Sequence, residues 1–167
     1  GWVALAQRFG RLPLADVLAP AIEVAERGYA VPVVVQGKWA AAAALPELAA
    51  QPGFGETFLP HGRAPQVGER FALPAAARTL RLIASTQGEA YYRGEIAAAI
   101  AAHASAHGGA LTAADLAAYA PEWVEPLAQG YRGGTGWCVH ELPPNGQGIA
   151  ALIALGILEH FDLGALA

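Results

Sequence analysis

The stretch that decides the fold runs from Trp137 to Phe161: Trp137-Cys138-Val139-His140-Glu141-Leu142, then Pro143-Pro144-Asn145-Gly146-Gln147-Gly148, then an apolar run from Ile149 to Phe161. The first part has the short, alternating, β-branched character of a strand, and the last has the length and apolarity of a helix. Between them two prolines fix φ and remove donors, while Asn145-Gly146 and Gly148 offer residues suited to positive φ, so a sharp turn is expected just before a helix N-terminus. A glycine-lined approach to free helix N–H groups lets a ligand come close, which makes Asn145, Gly146, Gln147 and Gly148 the candidate substrate-facing loop. The alternative is a strand-to-helix connection that meets no ligand.

Composition bounds what the rest can be. At 167 residues the chain has the size of one ordinary domain or of a piece of a larger protein. It starts at Gly1 and contains no Met, which favours the piece. Hydrophobic residues make up 54% and charged residues 14%, an apolar balance that suggests surface destined for burial against other chain. The longest apolar run, Ile149 to Leu158, is too short for a membrane span, which needs about 20 residues. Arg8 and Arg11 follow the apolar start instead of preceding it, unlike a signal peptide, and the compartment stays open between periplasm and cytoplasm. The net charge of −4 is scattered, with no basic stripe for nucleic acid. The single Cys138 excludes an internal disulfide and is expected as a buried, inert thiol.

The remaining elements make the fold class helix-dominated α+β: a helical lobe over 1–123, and a β-hairpin, turn and apolar helix over 124–167. Trp2, Leu5, Ala6 and Phe9 have helical spacing up to Gly10. Leu14, Val17, Leu18, Ala21, Ile22 and Ala25 continue the period through Pro20, where a kink or restart is expected, to Gly28 at a C′ position. Val33 to Leu45 reads as a third helix, and Pro52-Gly53, Pro60-His61-Gly62 and Pro65 mark a long irregular, mobile connection ending near Gly68. Pro74 opens a helix with Ala77, Leu80, Ile83 and Ala84 on one face, ended by Gln87-Gly88. Glu95 opens another with Ile96, Ala99, Ile100 and His103 inward, ended by Gly108-Gly109. Thr112 and Asp115 form a capping-box start for the helix carrying Leu116 and Tyr119. Glu125 to Tyr131 and Trp137 to Leu142 are expected as antiparallel strands joined by Gly133-Gly134-Thr135-Gly136.

Few residues have the spacing that chemistry requires. His103 and His107 stand four apart, as two metal ligands on one helix would, but no Glu follows His103 and no third ligand is near, so no metal is expected and His107 suits a helix C-terminus. Thr135 between two glycines is a turn hydroxyl, and no Gly-x-Ser-x-Gly elbow, Gly-x-Gly-x-x-Gly or P-loop occurs. Glu122 and Glu125 around Trp123 read as a polar edge, and Glu159 with Asp162 as the polar side of the last helix.

The order of short segments carries more. Gly10-Arg11-Leu12-Pro13-Leu14 leads into Pro20-Ala21-Ile22 and Arg27-Gly28-Tyr29-Ala30-Val31. Arg78-Thr79-Leu80, Ala90-Tyr91-Tyr92-Arg93-Gly94, Gly108-Gly109-Ala110-Leu111-Thr112 and Asp115-Leu116-Ala117-Ala118-Tyr119 follow. Pro126-Leu127, Tyr131-Arg132-Gly133, Pro143-Pro144, Ile157-Leu158-Glu159 and Phe161-Asp162 complete the series. In this order they resemble the large subunit of the γ-glutamyltransferase (γ-glutamyltranspeptidase) family, over essentially the whole chain.

The resemblance implies an N-terminal-nucleophile hydrolase whose precursor cuts itself into two subunits. The exposed Thr would attack a γ-glutamyl amide of the glutathione type, with its own α-amino group as base, and pass the acyl group to water or an amino acid. It implies no cofactor. The nucleophile and the small-subunit residues that grip the substrate amine would lie after Ala167, and the Arg for the substrate carboxylate before Gly1, so no catalytic residue is carried onto this chain and the fragment alone is expected to be inactive. Its implied partners are the rest of the large subunit, the small subunit and a small amide substrate. The family commonly has a third Pro and then Ser-Gly-Gly or Ser-Ser-Gly-Gly where this chain has Asn145-Gly146-Gln147-Gly148. Hydroxyls are replaced by amides, which opens the site to a related acylase acting on another amide. A non-catalytic helical interaction module is the remaining alternative.

Overall fold

The computed structural model describes residues 1–131 and 136–166. The chain divides into two compact units, Gly1–Tyr119 and Ala120–Ala167.

The first unit is built around helices α1 (Trp2–Phe9), α2 (Leu14–Arg27) and α6 (Pro74–Ser85). Leu14, Leu18 and Ala84 are buried together, with Val3, Ala6, Ile22 and Ile83 packed on them. In α1, therefore, Val3 and Ala6 reach the core while Trp2, Leu5 and Phe9 stay exposed. The restart expected at Pro20 does not occur: α2 is a single helix through it. Proline removes the N–H that would reach the Asp16 carbonyl, but Leu18 before it and Ile22 after it both pack into the same core, so burial on both sides favours continuation of the helix.

Gly28 ends α2 at φ 80°, its N–H on the Val24 carbonyl at 2.8 Å. The chain then forms β1 (Tyr29–Ala30), a two-residue strand that pairs antiparallel with β2 (Arg70–Phe71), Tyr29 opposite Phe71. A Cβ on Gly28 would lie 2.6 Å from the Phe71 carbonyl oxygen, so glycine is required there twice, by φ and by space. Val31, 1% exposed, extends the pairing through its N–H to the Glu69 carbonyl at 2.9 Å.

Between the strands lie α3 (Val33–Ala43), α4 (Pro46–Ala49) and α5 (Phe54–Phe58), then a 3-10 turn at Pro60–Gly62. This corrects the irregular connection read from the sequence: its prolines and glycines delimit short helices. Trp39 of α3 ties the segment down, donating Nε1–H to the Phe58 carbonyl at 2.8 Å and meeting the Phe71 ring edge-on at 4.6 Å between centroids. Farther along, Arg63 bonds Glu69 at 2.8 Å and the Gln66 N–H bonds the same carboxylate at 2.8 Å. Those bonds hold the Glu69 carboxyl below its ordinary value, Arg63 first and the Gln66 N–H second.

After α6 come α7 (Glu89–Arg93), α8 (Glu95–Ala106) and α9 (Ala113–Ala118), with α9 packed on both α7 and α8. Tyr92 stacks on Tyr119 at 5.3 Å, and burial beside the other two tyrosines raises its hydroxyl pKa. The face of α8 differs from expectation. Ala97 is buried with Ile96 and Ile100 half-buried beside it, whereas Ala99 and His103 are exposed. A helix made mostly of alanine offers too little hydrophobic contrast to fix its rotation from sequence. The capping box at Thr112 forms as expected, Asp115 N–H to Thr112 Oγ1 at 3.2 Å and Thr112 N–H to Asp115 Oδ2 at 2.8 Å.

The second unit is a hairpin with a helix on one side. Strands β3 (Leu127–Gly130) and β4 (Cys138–Glu141) pair antiparallel, Leu127 opposite Glu141 and Gly130 opposite Cys138, and both contact α10 (Gly148–Leu158). The expected link residues Gly133, Gly134 and Thr135 lie outside the described residues. Strand alternation puts Val139 and Glu141 half-buried and Cys138 and His140 exposed. Cys138 is thus not the buried thiol its residue type suggests: only one face of this two-stranded sheet is covered within the unit. Leu152 is the buried residue of α10, while Ile149, Ile153 and Ile157 are exposed. No helix among the described residues is long and apolar enough to cross a membrane.

Candidate functional site

The turn between β4 and α10 is formed by residues 142–147, and its shape differs from the one expected. Neither Gly146 nor Gly148 adopts positive φ. The chain instead enters the helix through Gln147 at φ −99°, ψ 13°, close to helical geometry, so no reversal of hand is needed. The two glycines serve different ends. A Cβ on Gly146 would meet nothing within 4 Å, whereas one on Gly148 would lie 2.5 Å from Glu141 Oε2, 2.7 Å from Glu141 Cβ and 2.9 Å from Glu141 Cδ. Gly148 is small because the Glu141 side chain lies against it.

The residues singled out in the turn are brought together at one helix end. Asn145, Gly146 and Gln147 are exposed and Gly148 is half-buried. The Gln147 carbonyl accepts the Ala150 N–H at 3.0 Å, but its side chain does not cap the helix. An unengaged carboxamide has two N–H donors and an acceptor oxygen. Asn145 and Gln147 can therefore bind an amide or a carboxylate, yet neither is a nucleophile or a base. The turn can recognise but not react.

Other sequence candidates contribute no reacting group. The His103 and His107 rings stand 4.2 Å apart, with His107 Nδ1 2.9 Å from the His103 carbonyl, at the exposed end of α8. Among the described residues no three of His, Cys, Asp and Glu are grouped to hold a metal. Asp162 lies beyond α10, its Oδ1 accepting the Gly164 N–H at 3.2 Å. A cavity of about 550 Å³ at that end of the helix, lined by Tyr131, Glu159, His160, Phe161 and Asp162 among others, escaped the sequence reading. The signal was a run of titratable residues directly after an apolar helix. The close approach of Glu141 to Gly148 was also missed, because nothing in its spacing marks it until the strand register is known.

Comparison with known proteins shows what the chain as a whole resembles. The family model described as Gamma-glutamyltranspeptidase matches residues 1–167. The crystal structure of a cephalosporin acylase from Bacillus halodurans is 47% identical, with a TM-score of 0.90 over 97% of this chain and 30% of the acylase chain. That of Helicobacter pylori γ-glutamyltranspeptidase is 28% identical, also at a TM-score of 0.90, over 100% of this chain and 47% of that one. The glutathione hydrolase-like YwrD proenzyme of Bacillus subtilis is 37% identical over 161 residues, which are 96% of this chain and 30% of the proenzyme. The chain thus spans less than half the length of each of these proteins. With the family model matched over residues 1–167 and two solved structures similar to the chain at a TM-score of 0.90, the chain belongs to the γ-glutamyltranspeptidase family.

Proposed function

We propose that this chain is part of the large subunit of a self-processing enzyme that cleaves γ-glutamyl amides of the glutathione type. The observation that carries this reading is the family match along all 167 residues. In the parent protein an N-terminal Thr beyond this chain adds its hydroxyl oxygen to the amide carbonyl and gives its proton to its own α-amino group. Backbone N–H donors hold the oxyanion. The amine leaves with a proton, and the resulting ester passes its acyl group to water or to an amino acid. That the Bacillus subtilis relative is a proenzyme supports the self-cleavage.

This chain's contribution is scaffold and substrate contact. Residues 1–123 form the helical support, and residues 124–167 carry the turn whose Asn145 and Gln147 amides face the substrate's amide or carboxylate. The remainder of the large subunit and the small subunit cover the exposed apolar faces.

A second reading is a related acylase acting on a different amide. It is favoured by the two amide side chains in the turn, and by the higher identity to the acylase structure than to the γ-glutamyltranspeptidase structure. The full-length precursor, assayed with γ-glutamyl-p-nitroanilide and with glutaryl-p-nitroanilide, which lacks the α-amino group, separates the two. Self-cleavage with preference for the γ-glutamyl compound is expected. Preference for the glutaryl compound selects the acylase, and absence of both self-cleavage and hydrolysis overturns the proposal.

A further inference from the structure

We propose that Glu141 is a positioning residue, which with Gly148 clamps the two ends of the Asn145–Gln147 turn and so fixes where its amides meet the substrate. This rests on the functional reading above. The register of β4 puts Glu141 opposite Leu127, on the half-buried side of the strand that faces α10. Its side chain then lies along the first residue of that helix. The close approaches at Gly148 involve Glu141 Cβ and Cδ as well as the terminal oxygen, so the whole side chain occupies the space, beyond what rotation of a flexible tip could clear. Gly148 is thereby required by contact and not by backbone hand, since its φ is not positive.

The consequence follows from what lies between the clamped residues. Pro143 and Pro144 stiffen the turn by fixing φ. Among the described residues no hydrogen bond anchors the Asn145 or Gln147 amide to the protein, and a Cβ at Gly146 would meet nothing within 4 Å. The position of both amides is then set by the backbone, and the backbone is set by the two ends. A carboxylate at the first turn of a helix is also favoured by the positive end of the helix dipole.

The test uses the full-length processed enzyme with G148A, E141A, E141Q and the double variant E141A/G148A. The readout is the ratio of kcat/KM between γ-glutamyl- and glutaryl-p-nitroanilide. G148A and E141A are expected to move that ratio by about tenfold, the scale at which small misplacements of substrate-contacting groups act. E141Q keeps the shape and leaves the ratio within about twofold. In E141A/G148A the added methyl fills the space the glutamate left, and the ratio returns toward that of the unsubstituted enzyme.

A purely structural role would lower Tm in G148A and E141A with the ratio unchanged, and that result overturns the proposal. Hydrogen exchange of the amides of residues 145–150 is read on the same proteins. Faster exchange in both single variants, restored in the double, supports the clamp even if neither anilide is hydrolysed and the functional reading itself fails. Unchanged exchange overturns the clamp.

Discussion

At the residue scale, two glycines show how different constraints select the same amino acid. Gly28 sits at φ 80° against the Phe71 carbonyl oxygen, and Gly148 sits at an ordinary φ against the Glu141 side chain. Backbone strain cannot be relieved by a neighbour, whereas side-chain crowding can. Gly28→Ala is therefore expected to cost about 2 kcal/mol or more, through left-handed strain and displacement of β2, seen as a lower urea midpoint of the full-length protein. That Gly28 ends a helix was legible, because glycine after an apolar period is a C-terminal signal. That Gly148 is held by Glu141 was not, because the contact exists only once β4 has its register.

At the scale of elements, the segment between α3 and β2 is fastened at two points of different chemistry. Trp39 holds it by ring packing and one hydrogen bond, and Glu69 holds it by charge. The Glu69 carboxyl is depressed in the folded state. Its contribution is therefore fully present above the unfolded-state value of 4.5 and is lost as pH falls through the lower folded value. Acidification below 4.5 should loosen the segment around Gln66, measured as faster amide exchange there once intrinsic pH dependence is removed, and E69Q should abolish that acid-dependent step.

The helices were readable because Pro and Gly punctuate them: Pro74, Gly88 and Gly108 stand at real boundaries. The β1–β2 pair was not, because a two-residue strand has no alternation to detect and its partner lies some forty residues on. The turn at 143–148 was legible as a turn, yet its backbone hand was misread from Asn-Gly-x-Gly composition.

At the scale of the whole molecule, the distribution of apolar surface is that of a part. Val33 and Val34 on α3 are 69% and 70% exposed, and Ile153 and Ile157 on α10 are 57% and 55% exposed. Helix α10 is apolar on all sides, the pattern of a helix covered on all sides. Ile153→Glu should therefore act with opposite sign in two settings. In the isolated chain it should reduce self-association and dye binding, measured by sedimentation and fluorescence. In the full-length protein, where that stripe is proposed to be covered, it should lower Tm by several degrees.

The uncovered face of the hairpin adds a practical consequence. Cys138 is the one thiol in this sequence and it stands exposed on β4, directly after Trp137 and two residues before the likewise exposed His140. That single exposed sulfur can serve as a chemical reporter for this face of the sheet. The rate at which a maleimide labels Cys138 in the isolated chain, divided by the rate in the full-length protein, turns that single sulfur into a gauge of how much of the sheet the proposed remainder of the protein shields.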